Sequence, residues 1–171
     1  IVHLGPIAQE VDPGLVRVFP ASLLGLTPQG WLREWDLQNR VHLCEWPEAR
    51  YMLEHASAAV LSIEDLESDE SRVEEMAAYS KILVITEGAA GSRLYWNGDL
   101  RRFRPPLVKE IDPIGAGDIF AASFFIRLHT TRDPWEAARF ATLLAANSVT
   151  RPNLQGVPTP EEVQACLIEV L

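Results

Sequence analysis

The chain has 171 residues, 47% of them hydrophobic and 23% charged, and a formal net charge of -9. That length and mix suit one soluble globular domain with a real core. The acidic balance argues against a nucleic-acid surface, which draws its affinity from Lys and Arg on phosphates, and no apolar run is long enough to span a bilayer.

The chain opens on Ile1-Val2-His3-Leu4, without Met and already strand-like, so it reads as a fragment of a longer polypeptide. No charged n-region of a signal peptide precedes this run. Asp12-Pro13 opens a short helix to about Phe19, with Asp as cap and Pro in the first turn. Ala21–Leu26 is the next strand, followed by a loop at Thr27-Pro28-Gln29-Gly30. Pro47–His55 reads as a helix with Trp46 and Met52 toward the core. Ala58–Ile63 is a strand, and Glu64–Glu70 an acidic, solvated connection.

Ser71 caps a helix to about Tyr79, with Glu74 completing a capping box. Lys81–Thr86 is a strongly apolar strand. Gly91–Trp96 and Leu100–Arg104 flank Asn97-Gly98, a hairpin signal. A helix follows from Ile119 to Leu128. Pro134–Thr150 is another, capped by Asp133, with Trp135, Ala138, Phe140 and Leu144 apolar. Glu161–Val170 closes the chain as an amphipathic helix. Strands alternating with helices predict an α/β fold, a mainly parallel sheet flanked by helices on both faces. Ligands of such sheets bind beyond the carboxyl ends of the strands.

Two stretches carry the chemistry. The first is Asp112-Pro113-Ile114-Gly115-Ala116-Gly117-Asp118, leading into an apolar helix. The glycines allow a tight turn, and a helix N-terminus offers free N–H donors to an anion. Asp118 there is either a plain N-cap or a base that takes a proton from an attacking hydroxyl. The second is Thr86-Glu87-Gly88-Ala89-Ala90-Gly91, directly after a strand. Alone it reads as a turn. Its place upstream of the first stretch, with a hairpin between, shifts the weight toward a ligand loop. Cys44 and Cys166 form no CxxC, and the histidines His3, His42, His55 and His129 have no ligand spacing. The cysteines and histidines therefore suggest neither a disulfide scaffold nor a metal site of their own, and a reducing, cytoplasmic compartment fits.

Asp112, Gly115, Ala116, Gly117 and Asp118, with the small residues Ala121 and Ala122, closely resemble the second signature of the PfkB (ribokinase-like) sugar and nucleoside kinases. Pro113 and Ser123 depart from it. Thr86-x-Gly88-x-x-Gly91 resembles that family's nucleotide loop. The resemblance covers residues 1–171 as the C-terminal nucleotide-binding part of one ribokinase-like domain, with the N-terminal half and lid absent.

It implies an ATP-dependent kinase, a phosphotransferase to an alcohol group of a sugar, a polyol (inositol among them) or a nucleoside. Asp118 would be the general base, and the N–H groups of Gly115, Ala116, Gly117 and Asp118 an anion hole. Thr86, Gly88 and Gly91 would hold nucleotide. Thr142 falls at the adenine-contacting position. Ser62-Ile63-Glu64-Asp65 stands where the family has N-x-x-E, which places Ser62 at the nucleotide phosphates and Asp65 near Mg2+. Gln29 and Arg33 stand in a substrate-side loop. Asn153 replaces Gly in a T-R-x-G turn and tolerates the same left-handed backbone. In some relatives carbonyls near this turn, Asp112 and Ile114 hold a monovalent cation such as K+, and whether that site is kept here stays open.

No nucleic-acid or membrane partner is expected. Relatives often dimerise through the lid, which leaves a homodimer of the full-length protein open. The competing reading is a non-catalytic nucleotide-binding module or an inactive fragment, because the half bearing most acceptor contacts is missing.

Overall fold

The computed structural model describes residues 1–167. The strands are β1 (Val2–Leu4), β2 (Leu24–Leu26), β3 (Arg33–Trp35), β4 (Val41–Leu43), β5 (Ala58–Ser62), β6 (Ile82–Thr86), β7 (Ser92–Trp96) and β8 (Asp99–Phe103). The α-helices are α1 (Ala49–His55), α2 (Glu70–Tyr79), α3 (Ala116–Thr131), α4 (Pro134–Ser148) and α5 (Pro160–Cys166). One six-stranded sheet has the order β1-β2-β5-β6-β7-β8. β1, β2, β5 and β6 run parallel, and β7 and β8 add antiparallel strands at one side.

The strand sequences explain the layers. In β5 and β6 successive apolar residues point to opposite faces, as a strand buried on both sides requires. Ala59, Leu61, Leu83 and Ile85 pack with Met52 and Leu53 of α1 and Val73 and Met76 of α2. Ala58, Val60, Ile82 and Val84 pack with Phe120, Phe124 and Phe125 of α3 and Ala137, Ala138 and Ala141 of α4. The expected mainly parallel sheet with helices on both faces is therefore present. Trp46 and Met52 are buried as expected.

Four local expectations are corrected. The connection Glu64–Glu70 is not a plain solvated loop: Ile63–Leu66 forms a 3-10 turn that buries Leu66. The cap of α2 is Asp69, whose carboxylate accepts from the Ser71 N–H at 2.9 Å, and not Ser71 itself. Asp118 is not an N-cap, since α3 begins at Ala116 behind Gly115. Finally, α5 ends at Cys166 with Leu167 closing it; the rest of the expected helix, 168–170, lies outside the described residues.

The β3–β4 hairpin was not expected from the sequence. Asp36 organises its turn by accepting from the Gln38 N–H at 2.8 Å and the Arg40 N–H at 2.9 Å. Its other oxygen meets Arg40 Nε at 2.8 Å and His42 Nε2 at 3.1 Å. The Arg40 N–H and then His42 hold the Asp36 carboxyl down to about 2. No helix among the described residues is long and apolar enough to cross a membrane.

Candidate active site

α3 runs from the carboxyl edge of the parallel strands to their amino edge. Its last turns, at Leu128 and His129, lie with Leu23, Ser57 and Ile82 where β2, β5 and β6 begin. Phe125 packs on His3 of β1, ring centroids 5.0 Å apart. The first turn, with Asp118, therefore stands at the carboxyl edge, beside the segments that follow β1, β2, β5 and β6.

Gly115 takes the left-handed conformation, φ 82° and ψ -4°, which turns the chain into α3. The first helical bond runs from the Ile119 N–H to the Gly115 carbonyl at 3.0 Å. The N–H groups of Gly117 and Asp118 lie in the first turn and have no intrahelical acceptor. Ala116 is different: its N–H donates to the Pro113 carbonyl at 3.2 Å. The expected four-membered donor set therefore has one member already engaged. Space beside Gly115 and Gly117 is open. Asp118 is exposed in the first turn and makes no hydrogen bond among the described residues. A free carboxylate beside free N–H donors can accept a proton while the donors face an anion.

The turn before α3 is clipped to the chain after α4. The Ile111 and Asp112 N–H groups donate to the Val149 carbonyl at 2.7 and 3.1 Å. The Asp112 carboxylate accepts from the Asn153 N–H at 2.8 Å and the Ile114 N–H at 3.0 Å. Asn153 has φ 50°, so it adopts the left-handed conformation expected of it. The Asn153 N–H first, then that of Ile114, holds the Asp112 carboxyl below its ordinary 3.8. A carboxyl depressed on folding stabilises above its unfolded pKa, and that contribution is lost as pH falls through the folded value. Asp112→Ala should therefore lower the melting temperature and speed amide exchange at residues 111–115 and 150–153 at pH 7. The difference from wild type should shrink on acidification below about pH 4. Equal melting at pH 7 would show that the clip contributes nothing.

The loop after β6 is tightly built. Glu87 N–H donates to the Gly91 carbonyl at 2.8 Å, and Gly91 N–H to the Gly88 carbonyl at 3.0 Å. Glu87 is held from the side by Arg93 Nε at 3.1 Å and Arg102 Nη1 at 3.1 Å. Arg93, with a side chain 4% exposed, also reaches Glu70 at 2.8 Å. These charges escaped the sequence reading; a lone Arg within an apolar strand was the only signal. Thr86 is half-buried, its hydroxyl 3.5 Å from the Leu61 carbonyl. Thr142, placed by resemblance at an adenine contact, is buried. Its hydroxyl meets the Ala138 carbonyl and Ser92 Oγ, both at 2.8 Å. The hydroxyl thus ties α4 to β7 rather than offering itself to a ligand.

The remaining residues named from sequence meet at the ends of β2 and β5. Ser62 and Asp65 cap the Ile63–Leu66 turn reciprocally: Ser62 Oγ accepts from the Glu64 N–H at 3.2 Å, and Asp65 Oδ2 from the Ser62 N–H at 3.2 Å. Asp65 Oδ1 accepts from Gln29 Nε2 at 2.8 Å and lies 3.4 Å from Arg33 Nη2. Both oxygens are thus occupied within the chain. Among the described residues no group of three or more His, Cys, Asp or Glu is arranged to hold a metal ion. The donor set offered at Asp65 does not fit a directly bound Mg2+, which demands near-ideal octahedral geometry.

His3, set aside in the sequence for want of ligand spacing, belongs to this edge. Its Nε2 lies 2.9 Å from Thr27 Oγ1. Burial lowers its pKa, while the negative charge of Asp118 pulls it upward.

Fold and site together define an α/β protein with an anion-receptive helix N-terminus and a free carboxylate at the carboxyl edge of its sheet. The chain belongs to the pfkB family of carbohydrate kinases, whose pattern matches residues 43–162. It is 38% identical over 85 residues to an inositol 3-kinase of Oryza sativa subsp. japonica, which covers 48% of this chain and 21% of that one. It is 40% identical over 96 residues to a ribokinase of Bacillus subtilis, covering 55% and 32%. A nucleoside kinase of Burkholderia thailandensis, solved in complex with ADP-inosine, superposes with a TM-score of 0.76 at 20% identity, over 96% of this chain and 51% of that one. The fold is ribokinase-like, and the chain spans about half the length of that solved relative.

Proposed function

We propose that this chain is the nucleotide-binding part of an ATP-dependent kinase, and that residues 1–171 form the C-terminal portion of one ribokinase-like domain. The kinase would phosphorylate a hydroxyl of a sugar, a polyol such as inositol, or a nucleoside. The observation that carries this reading is the free Asp118 carboxylate in the first turn of α3, beside the free N–H groups of Gly117 and Asp118.

Asp118 takes the proton of the acceptor hydroxyl as its oxygen attacks the γ-phosphorus. A new O–P bond forms, the bond to the β-phosphate oxygen breaks, and ADP leaves. The N–H groups of Gly115, Gly117 and Asp118 face the charge on the transferring group; such preorganised donors are often the largest catalytic contribution. The loop of Thr86, Gly88 and Gly91 lies along the nucleotide, and Ser62 stands at the phosphate side of the same edge. Gln29 and Arg33 lie on the acceptor side. An E. coli protein with this fold is solved in complex with ATP and Mg2+, the pair expected to serve here.

The test is an ADP-release assay with Mg·ATP over a panel of sugars, inositols and nucleosides. Turnover that depends on one acceptor class is expected of the complete protein. Nucleotide binding without acceptor-dependent turnover would replace the enzyme by a nucleotide-binding module.

A further inference from the structure

We propose that Asp65 is a positioning residue that fixes Gln29 and Arg33 at the acceptor side, and not a ligand of magnesium. The inference rests on the kinase reading above, whose acceptor side it specifies.

Asp65 joins two segments remote in sequence. Its Oδ2 closes its own turn through the Ser62 N–H at 3.2 Å. Its Oδ1 receives Gln29 Nε2 at 2.8 Å and faces Arg33 Nη2 at 3.4 Å. The Asp65 side chain is only 10% exposed, whereas that of Arg33 is 34% exposed. Arg33 can therefore be anchored at one end and still present donors to solvent, since a guanidinium has five N–H groups. Its charge also stands where a cation on Oδ1 would have to sit, and like charges at that distance repel. The Gln29–Arg33 segment is supported from behind as well. Trp31 stacks on Trp46 with centroids 5.4 Å apart, and Gln9 Nε2 donates to the Arg33 carbonyl at 2.8 Å. The tryptophan stack, the Gln9 bond and Asp65 thus hold the segment together, and Asp65 also sets the direction of its two polar side chains.

Kinetics of the full-length protein separate the two roles. Asp65→Ala should raise the acceptor KM about tenfold with a smaller change in kcat, and leave the half-saturating Mg2+ concentration within about twofold of wild type. Arg33→Ala should do the same, and the double variant should show less than the sum of the two effects, because Asp65 acts in part through Arg33. A tenfold rise in the Mg2+ requirement with an unchanged acceptor KM would overturn the proposal. Asp65→Asn keeps an acceptor oxygen for Gln29 and should fall between wild type and alanine, and it stands in if the alanine variant does not fold.

Two measurements need no turnover. Amide exchange of residues 28–35 should quicken at least tenfold in Asp65→Ala while residues 82–103 stay unmoved. The gain in ADP affinity on adding Mg2+, read by calorimetry, should be unchanged. Unchanged exchange, or loss of the Mg2+-dependent gain, would sink the assignment. A chain that fails every acceptor in the panel but shows the exchange result would separate failure of the kinase reading from failure of this one.

Discussion

Asp118→Asn is expected to lower kcat by about 10^2- to 10^4-fold, the usual range for removal of a general base, or about 3 to 5 kcal/mol of transition-state stabilisation. ADP affinity should change less than about threefold, because the amide occupies nearly the volume of the carboxylate and the backbone donors of the turn are untouched. Folding should scarcely notice. Asp118 has no hydrogen bond to lose among the described residues, and its charge at the head of α3 stabilises the helix by only about 0.5 kcal/mol. Steady-state kinetics alongside nucleotide titration checks both halves. A variant with more than a tenth of wild-type turnover would remove the base role.

Gly91→Ala is expected to lose nucleotide binding and about 3 kcal/mol of stability, whereas Gly88→Ala, in the same loop, is expected to be tolerated. Gly91 sits at φ 101° and ψ -127°, a region open essentially to glycine. A Cβ there would lie 2.0 Å from the Phe103 carbonyl oxygen, so β8 or the loop must move. Because Glu87 N–H is bonded to the Gly91 carbonyl, displacing Gly91 opens the whole turn. Gly88 has φ 54°, which alanine enters at about 1 kcal/mol, and nothing lies within 4 Å of its added carbon. Thermal melts and ADP titration of the two variants test the contrast. Equal behaviour would mean that the loop is not shaped by Gly91.

Much of the architecture is legible in strong local patterns. The apolar runs of β5 and β6, the Asn97-Gly98 turn between β7 and β8, and the Asp133-Pro134 start of α4 each carry a period or a cap that one segment states alone. The Gly115–Asp118 and Thr86–Gly91 turns were legible from their glycines, which permit the positive-φ backbone of tight turns that other residues resist. The β3–β4 hairpin was not: three-residue strands show no period, and its turn depends on how the Asp36 carboxylate folds back. The cap of α2 was misplaced by two residues because Asp69 and Ser71 are equally good caps in sequence.

Chemistry divides along the same line. The residue types at the carboxyl edge, Asp118 and the glycines before it, follow from local sequence, because a turn into a helix exposes its own N–H groups wherever it occurs. Which groups remain free there does not. That Ala116 N–H is taken by Pro113, that Thr142 turns its hydroxyl into the core, that His3 lies near Asp118, and that Asp65 is held by Gln29 and Arg33 are all long-range or conformational outcomes. Partners such as Ser92 and Thr142, 50 residues apart, meet only after the sheet has assembled. Local sequence therefore determined the candidate groups, and the folded structure decided which of them stay free and which are already bonded within the chain.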